Sequence, residues 1–204
     1  MELVMATSNE GKISEFEEVL NPVGIKLIVP DFLIQVEETG STFEENAFIK
    51  ASFVAKKSGK AALADDSGLC IDALNGAPGV FSARFCNNLS KERRLNLILE
   101  LLKDVPPEKR TARFECCLCF VESSAAILDF EQAKQATGVQ FISSRCEGMI
   151  AFSQLGQNGF GYDSIFLVNK QTVAQMTSSE KSMIGPRGQA LRRFVKKMQQ
   201  AGAL

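Results

Sequence analysis

The chain has 204 residues, of which 45% are hydrophobic and 23% charged, a composition that excludes a disordered chain and suits one compact domain over residues 1–204. With 23 Lys plus Arg against 24 Asp plus Glu, the formal net charge is -1, so no overall positive field attracts nucleic acid or an anionic membrane. Histidine is absent, which excludes a Ser-His-Asp or Cys-His catalytic set and leaves proton transfer to Asp, Glu, Lys, Tyr, Cys or bound water.

The first half of the chain alternates predicted strands and helices. The pattern predicts a strand at 2–6, then a polar turn and an amphipathic helix, and a second strand at 25–30. A second helix is predicted at 43–59, where a glycine ends it. The segment AALADDSG at 61–68 is predicted as a buried strand with two adjacent aspartates at its mouth.

The second half is richer in predicted strands. A glycine-rich turn at 75–79 leads to an amphipathic helix capped by Ser90. Strands are predicted at 112–121, near 125–130 and near 138–142, and a helix is predicted at the C-terminus. This order favours an α/β fold in which helices flank a mixed β-sheet.

Targeting and redox signals are weak. The first residues carry neither a basic leader nor a long apolar segment, and no apolar run approaches the roughly 20 residues of a membrane span. We therefore expect a cytoplasmic protein without a membrane partner. The chain is too long to need disulfides for stability, and its six cysteines offer a single C-x-x-C spacing, Cys116 to Cys119, so we expect reduced, mostly buried thiols rather than disulfides or a zinc site.

The segment ATSNEGKISEF at 6–16 is a candidate phosphate site. A strand, a tight polar turn and a helix start would direct backbone N–H groups outward, which suits an anion. Lys12 falls in the first helical turn, where it opposes the helix dipole unless an anion is nearby. The alternative is a capped surface helix with an incidental lysine.

Carboxylates provide the candidate metal ligands. Asp65 and Asp66 follow an apolar run, where neighbouring negative charges are costly unless a cation meets them. Mg2+ prefers carboxylate oxygens and bridges to substrate phosphates. Glu37 and Glu38 lie in a predicted loop before the helix that carries Lys50. The alternatives are a turn element for the aspartates and solvated acids for the glutamates.

Two later segments could border a ligand. In GQNGFGYDSIF at 156–166, glycines permit a close backbone approach and two aromatic rings offer flat surfaces for a base. In SSEKSMIGPRGQAL at 178–191, Lys181 and Arg187 flank a predicted loop before the last helix. The alternatives are a glycine-bearing hairpin and a solvated basic loop.

Taken in order, these segments resemble one family, the inosine triphosphate pyrophosphatases, also called Ham1-like. The resemblance covers nearly the whole chain and rests on T-S-N-x-G-K at 7–12, E-E-T-G at 37–40, F-E-E-N-A-x-x-K-A at 43–51, A-D-D-S-G-L at 64–69, G-A-P-G-V-F-S-A-R at 76–84, G-F-G-Y-D at 159–163 and E-K-x-x-I-x-x-R-G-x-A-L at 180–191. It implies an elongated α/β fold with two lobes around a central substrate cleft, and a homodimer. The implied reaction is Mg2+-dependent hydrolysis of ITP, dITP and XTP to the monophosphate and pyrophosphate, which removes deaminated purines from the nucleotide pool.

The resemblance also implies roles for individual residues. Asp66 would accept a proton, and Lys12 and Lys50 would stabilise charge on the phosphates. Glu38 and Asp66 would be metal-linked carboxylates, with Asp65 in support. Substrate contacts are implied for Lys12 and for a further set of motif residues: Thr7, Ser8, Asn9, Glu10, Gly11, Ser67, Phe160, Gly161, Tyr162, Asp163, Lys181, Pro186 and Arg187.

The chain departs from the family pattern at two positions. Pro186 stands where S-H-R-G has its histidine, and Ser164 stands where G-Y-D-P has its proline. Because proline offers neither a side-chain donor nor a backbone N–H, we expect weaker base selectivity than is usual for the family.

Two rival functions stay open. One is that of the Maf-like pyrophosphatases, which act on other modified nucleotides and share the type of the early loop. The other is a nucleotide-binding module without turnover. G-F-G-Y-D and A-D-D-S-G favour the Ham1-like family, and the complete set of charged residues favours an enzyme.

Overall fold

A computed structural model describes residues 1–204. Seven strands form one mixed sheet in the order β2-β1-β3-β4-β5-β6-β7, and helices flank it, as the sequence predicts. The strands are β1 (Glu2–Met5), β2 (Lys26–Ile28), β3 (Ala62–Ile71), β4 (Thr111–Val121), β5 (Val139–Ile150), β6 (Phe166–Val168) and β7 (Gln171–Thr172). The helices are α1 (Glu10–Leu20), α2 (Phe43–Ser58), α3 (Lys91–Leu101), α4 (Phe130–Ala133), α5 (Ser178–Ile184) and α6 (Pro186–Gln200).

The strand directions differ along the sheet. β1 is parallel to both neighbours, with Val4 opposite Ile28 in β2 and opposite Ala62 in β3. β6 is antiparallel to both β5 and β7. None of the helices is both long and apolar enough to cross a membrane.

The chain divides into two compact units, and our expectation of a single domain stays a prediction. Unit 1 comprises residues 1–66, 116–144 and 186–204, and unit 2 comprises residues 67–115 and 145–185.

Within unit 1, β1 and β3 are buried on both faces. Val4 and Ala62 pack in a cluster with α2, whereas Leu3, Met5 and Leu63 pack in another with α1 and α6. Successive side chains of a strand point to opposite faces, so this alternation assigns α2 to one face of the sheet and α1 with α6 to the other. Unit 2 has its own core, in which β3 and α3 take part.

Three predicted boundaries are wrong. Residues 125–130 are not a strand, because Asp129 caps α4 and forms a capping box with Gln132. β5 continues to Ile150, well beyond the predicted end near residue 142, because its polar half alternates buried and exposed residues as a strand does. β3 continues to Ile71, so the two aspartates lie inside the strand rather than at its mouth.

The predicted loop before the last helix is also wrong. Lys181 lies in α5, and Arg187 is the second residue of α6. Pro186 begins α6, a position that tolerates proline because its missing N–H would have no helical partner. The expectation for cysteine is confirmed, since all six thiols are free and five of them are buried.

Arg110 shows how unit 2 satisfies a buried charge without a carboxylate. Its side chain is 1% exposed and donates three hydrogen bonds to backbone carbonyls: Nε to Ile150 at 3.0 Å, Nη1 to Leu102 at 2.6 Å and Nη2 to Ala151 at 2.7 Å. The guanidinium thereby joins the end of α3 to the end of β5.

We predict that Arg110→Lys lowers the free energy of unfolding by about 3 kcal/mol, because one ammonium group does not reproduce the three directed bonds of the guanidinium. Urea denaturation would measure this change. Lys103→Ala is the control, since it removes an exposed pair with Glu100 and should cost less than about 1 kcal/mol. Equal losses in the two variants would contradict the role given to Arg110.

Candidate active site

The turn after β1 forms a helix start that leaves backbone donors open. The Asn9 side chain caps α1 by accepting a hydrogen bond from the Lys12 amide at 3.1 Å, and Thr7 Oγ1 accepts one from the Asn9 amide at 3.2 Å. The first amide to donate within α1 is that of Ile13, to the Asn9 carbonyl, so the earlier amides of Glu10 and Gly11 have no partner within the helix. Ser8, Asn9 and Glu10 are exposed, so this turn can receive a phosphate.

The two aspartates of β3 point to opposite faces of the sheet. Asp65 contacts Lys12 of α1 and Arg187 of α6, whereas Asp66 contacts Lys50 of α2. The strand geometry requires this separation, because neighbouring side chains alternate between faces. Each carboxylate therefore meets its own cations, and the two negative charges do not share one pocket.

Asp65 is the centre of a buried charge network. Its Oδ2 lies 2.9 Å from Lys12 Nζ and 3.0 Å from both Nε and Nη2 of Arg187. Arg187 also forms an ion pair with Glu15 of α1. Burial by itself would raise the pKa of Asp65, but the positive charges of Arg187 and Lys12 outweigh it and hold that pKa well below its usual range.

The same network explains why Lys12 is tolerated in the first turn of α1. A lysine there opposes the helix dipole, and the sequence suggested that a bound anion would compensate. The compensating anion in the structure is Asp65, whose side chain is fully buried. Lys12 is therefore held in place before any substrate arrives.

Asp66 belongs to the second group of charges. Lys50 Nζ lies 2.6 Å from Asp66 Oδ1 and 2.8 Å from Glu38 Oε1, so one ammonium bridges the two carboxylates. Burial by itself would lower the pKa of Lys50, but the charges of Asp66, Asp65 and Glu38 outweigh it and raise that pKa. Burial also raises the pKa of Asp66, and the charge of Lys50 offsets this rise only in part.

The donor set fits a magnesium ion that is shared with a substrate. No group of three or more His, Cys, Asp or Glu side chains is placed to hold a metal ion by protein ligands alone. Glu38 and Asp66 nevertheless offer hard oxygen atoms around one cation position. Mg2+ commonly uses one or two carboxylates and completes its shell with water and phosphate oxygens, so this pair suffices. The fully buried Asp65, engaged by two cations, suits electrostatic support better than metal ligation.

The later motif residues form a group within unit 2. Lys181 Nζ lies 2.7 Å from Asp163 Oδ2 and 4.0 Å from the centre of the Phe160 ring. Asp163 Oδ2 also accepts a hydrogen bond from the Phe160 amide at 2.8 Å. Gly159 has φ +74° and approaches Asp163 so closely that a Cβ would lie 2.1 Å from Oδ2. Asp163 therefore fixes both the turn and the lysine.

The remaining predicted residues differ in exposure. Tyr162 is buried and its hydroxyl donates to the Ser82 carbonyl at 2.8 Å, which favours a structural role over a base contact. Ser67 and Pro186 are half-buried, whereas Gly161 is exposed.

Sequence reasoning missed two residues that the structure places in these groups. Glu15 lies one turn after Lys12 on α1 and pairs with Arg187. The available signal was the i, i+3 spacing of Glu15 from Lys12, although Arg187, with which Glu15 pairs, is 172 residues away on α6. Asn46 is buried beside Asp66, and its signal was a polar amide on the apolar face of a helix.

Comparison with known proteins gives one family. The family model described as "Ham1 family" matches residues 3–197. The chain is 44% identical to a dITP/XTP pyrophosphatase of Exiguobacterium sibiricum over 95% of each chain, and 43% identical to one of Bacillus subtilis over 96% of each. A solved HAM1 protein from Coxiella burnetii superimposes with a TM-score of 0.82 at 39% identity, covering 98% of this chain and 99% of the other. The chain therefore belongs to the Ham1 family.

Proposed function

We propose that this protein is a nucleoside triphosphate pyrophosphatase that hydrolyses ITP, dITP, XTP and dXTP to the monophosphate and pyrophosphate. The observation that carries the proposal is the ammonium of Lys50, held between Glu38 and Asp66 in a Ham1-family chain. The named relatives are dITP/XTP pyrophosphatases, which supports the substrate class. We also expect a cytoplasmic homodimer that does not bind nucleic acid.

The triphosphate is expected to bind at the start of α1. The open amides of the first helical turn and the positive end of the helix dipole favour phosphate oxygens. Lys12 and Lys50 would add two positive charges that stabilise the transition state and the departing pyrophosphate. Since Asp65 orients Lys12 and Asp66 orients Lys50, both ammonium groups are positioned before the reaction.

Glu38 and Asp66 are expected to hold Mg2+. When bound, this ion would neutralise charge on the phosphate oxygens and thereby favour the departure of pyrophosphate. Asp66 would also accept a proton from the water that attacks the α-phosphorus. A carboxylate whose pKa is raised by burial is a better proton acceptor than an exposed one, so its environment suits this role.

Contacts with the nucleotide remain a prediction for Ser67, for Phe160, Gly161 and Asp163, and for Lys181, of which the later ones would lie near the base. Arg187 was expected to contact the nucleotide, and its guanidinium is engaged with Asp65 and Glu15. It would therefore act on the phosphate site through Asp65, in addition to any contact with a base.

Pyrophosphate release tests the substrate class. Purified protein should release pyrophosphate from ITP, dITP and XTP when Mg2+ is present and should lose this activity in EDTA. With Pro186 in the histidine position, we expect kcat/KM for ITP to exceed that for GTP by less than about 100-fold, and Pro186→His to increase the ratio. Preference for a modified pyrimidine would favour a Maf-like activity, and binding without release would favour a nucleotide-binding module. Strong rejection of GTP by the unaltered protein would contradict the role given to Pro186.

Substitution of Asp66 tests its role as the proton acceptor. Asp66→Asn should lower kcat for ITP by about 100-fold or more, because the amide does not accept the proton, while ITP still binds. Steady-state kinetics with calorimetric measurement of ITP binding would test this. Glu37→Gln is a matched control, since Glu37 is an exposed carboxylate in the same loop and should leave kcat unchanged. Near-normal turnover by Asp66→Asn would refute the assignment.

The buried charge of Asp65 should contribute to stability. Because the pKa of Asp65 is lowered in the folded state, its ionised form stabilises the fold above the ordinary value of 3.8, and this contribution is lost as the pH falls toward the lowered pKa. Asp65→Asn should therefore be less stable than the unaltered protein by about 3 kcal/mol at pH 7, since the buried Arg187 and the half-buried Lys12 lose this charged partner. Urea denaturation should show that the difference narrows below about pH 4. A difference that is constant with pH would show that the charge of Asp65 is not responsible.

A further inference from the structure

Asn46 is a polar residue at a position where the local sequence favours an apolar one. It is the fourth residue of α2 and is 0% exposed, beside Ala47 and Phe48 of the core. Asparagine is a poor residue for a helix interior, and a buried amide is costly unless it is hydrogen-bonded. A residue that breaks two local rules at once indicates a role that depends on its partners.

The two ends of the Asn46 side chain contact two different segments of the site. Its Oδ1 accepts a hydrogen bond from the Gly40 amide at 2.8 Å, and its Nδ2 donates to Asp66 Oδ2 at 3.4 Å. Gly40 lies two residues after Glu38 in the same loop. One neutral side chain thus connects the loop that carries Glu38 with the strand that carries Asp66.

The start of α2 holds the same loop by further contacts. Glu45 Oε2 accepts hydrogen bonds from the Ser41 amide at 2.6 Å, from its hydroxyl at 2.9 Å and from the Thr42 amide at 3.2 Å. The fit is close at Gly40, where a Cβ would lie 2.7 Å from Asn46 Oδ1 and 2.6 Å from Glu45 Cβ. The backbone at Gly40 therefore has little freedom to move toward the helix.

Lys50 also connects Glu38 with Asp66, but in a different way. It binds Asp66 through Oδ1, whereas Asn46 uses Oδ2, so both contacts exist together. The Lys50 ammonium contacts carboxylate oxygens of both Glu38 and Asp66. Asn46 instead contacts the loop through the Gly40 backbone amide, so it leaves the Glu38 carboxylate available. The Asn46 contact can therefore persist when the carboxylates bind another cation.

We propose that Asn46 is a positioning residue that sets the separation of Glu38 and Asp66 for a divalent cation. The inference rests on the proposed function, because it takes these two carboxylates as the metal ligands. Asn46 itself contributes no charge and binds no phosphate. Residues that orient metal ligands typically change metal affinity about tenfold to hundredfold when they are replaced.

Amide exchange and metal binding test the proposal together. Asn46→Leu keeps the number and branching of the side-chain heavy atoms and removes both contacts, so exchange of the Gly40 amide should rise about tenfold to hundredfold. Asn46→Asp keeps an acceptor for Gly40 and should leave this exchange near that of the unaltered protein. Mn2+ serves as a spectroscopic probe for Mg2+, and its Kd, measured by electron paramagnetic resonance with α,β-methylene-ITP, should rise about tenfold or more in Asn46→Leu.

Ser90→Ala is the matched control. It removes the cap of α3, where Ser90 Oγ accepts a hydrogen bond from the Arg93 amide at 3.3 Å, and should lower Tm without changing Gly40 exchange or Mn2+ affinity. Should Asn46→Leu not fold, Gly40→Ala displaces the same contact from the loop side and should weaken Mn2+ binding likewise.

The outcomes separate the two proposals. Unchanged Gly40 exchange in Asn46→Leu, or faster exchange with an unchanged Kd for Mn2+, would overturn the positioning role while leaving the proposed function intact. Absence of pyrophosphate release from the unaltered protein would refute the proposed function, whatever the Asn46 variants do.

Discussion

The site depends on the alternation of side chains along β3. Asp65 and Asp66 are adjacent in sequence, yet one faces α1 and α6 and the other faces α2. If both carboxylates pointed to one side, their mutual repulsion in a water-poor environment would favour protonation of one of them. Because a strand turns successive side chains to opposite faces, each aspartate keeps its own cations and the pair can serve two different tasks.

The cations come from helices that also build the core. α1 and α6 bury Phe16 and Phe194 under the sheet, and α2 buries Phe48 on the other face. The packing of these apolar side chains places Lys12, Arg187 and the Lys50 ammonium next to their carboxylates. The hydrophobic contacts thereby offset much of the conformational entropy that is lost when the long charged side chains are ordered. The attraction within an exposed ion pair is too weak to offset that loss by itself.

Residues that conflict with local preferences are explained by distant partners. Lys12 opposes the dipole of α1 until Asp65 is present, and Asn46 is a buried amide until Gly40 and Asp66 are present. Such conflicts cost stability locally and define the geometry of the site. Arg110 provides a comparison outside the site, because its charge meets backbone carbonyls and the ring of Phe152 and binds no carboxylate.

The sequence by itself determined the local elements and the chemistry that was available. The cap at Ser90, the polar turn before α1 and the periodicity of apolar residues predicted most helices and strands, and the order of the motifs indicated the family. Only the tertiary structure decided that Asp65 pairs with Lys12 and Arg187, that Asp66 shares Lys50 with Glu38, and that α4 replaces a predicted strand. These pairings join residues up to 122 positions apart, and the free energy that selects them comes from burial and opposite charge in space, which local propensity does not encode.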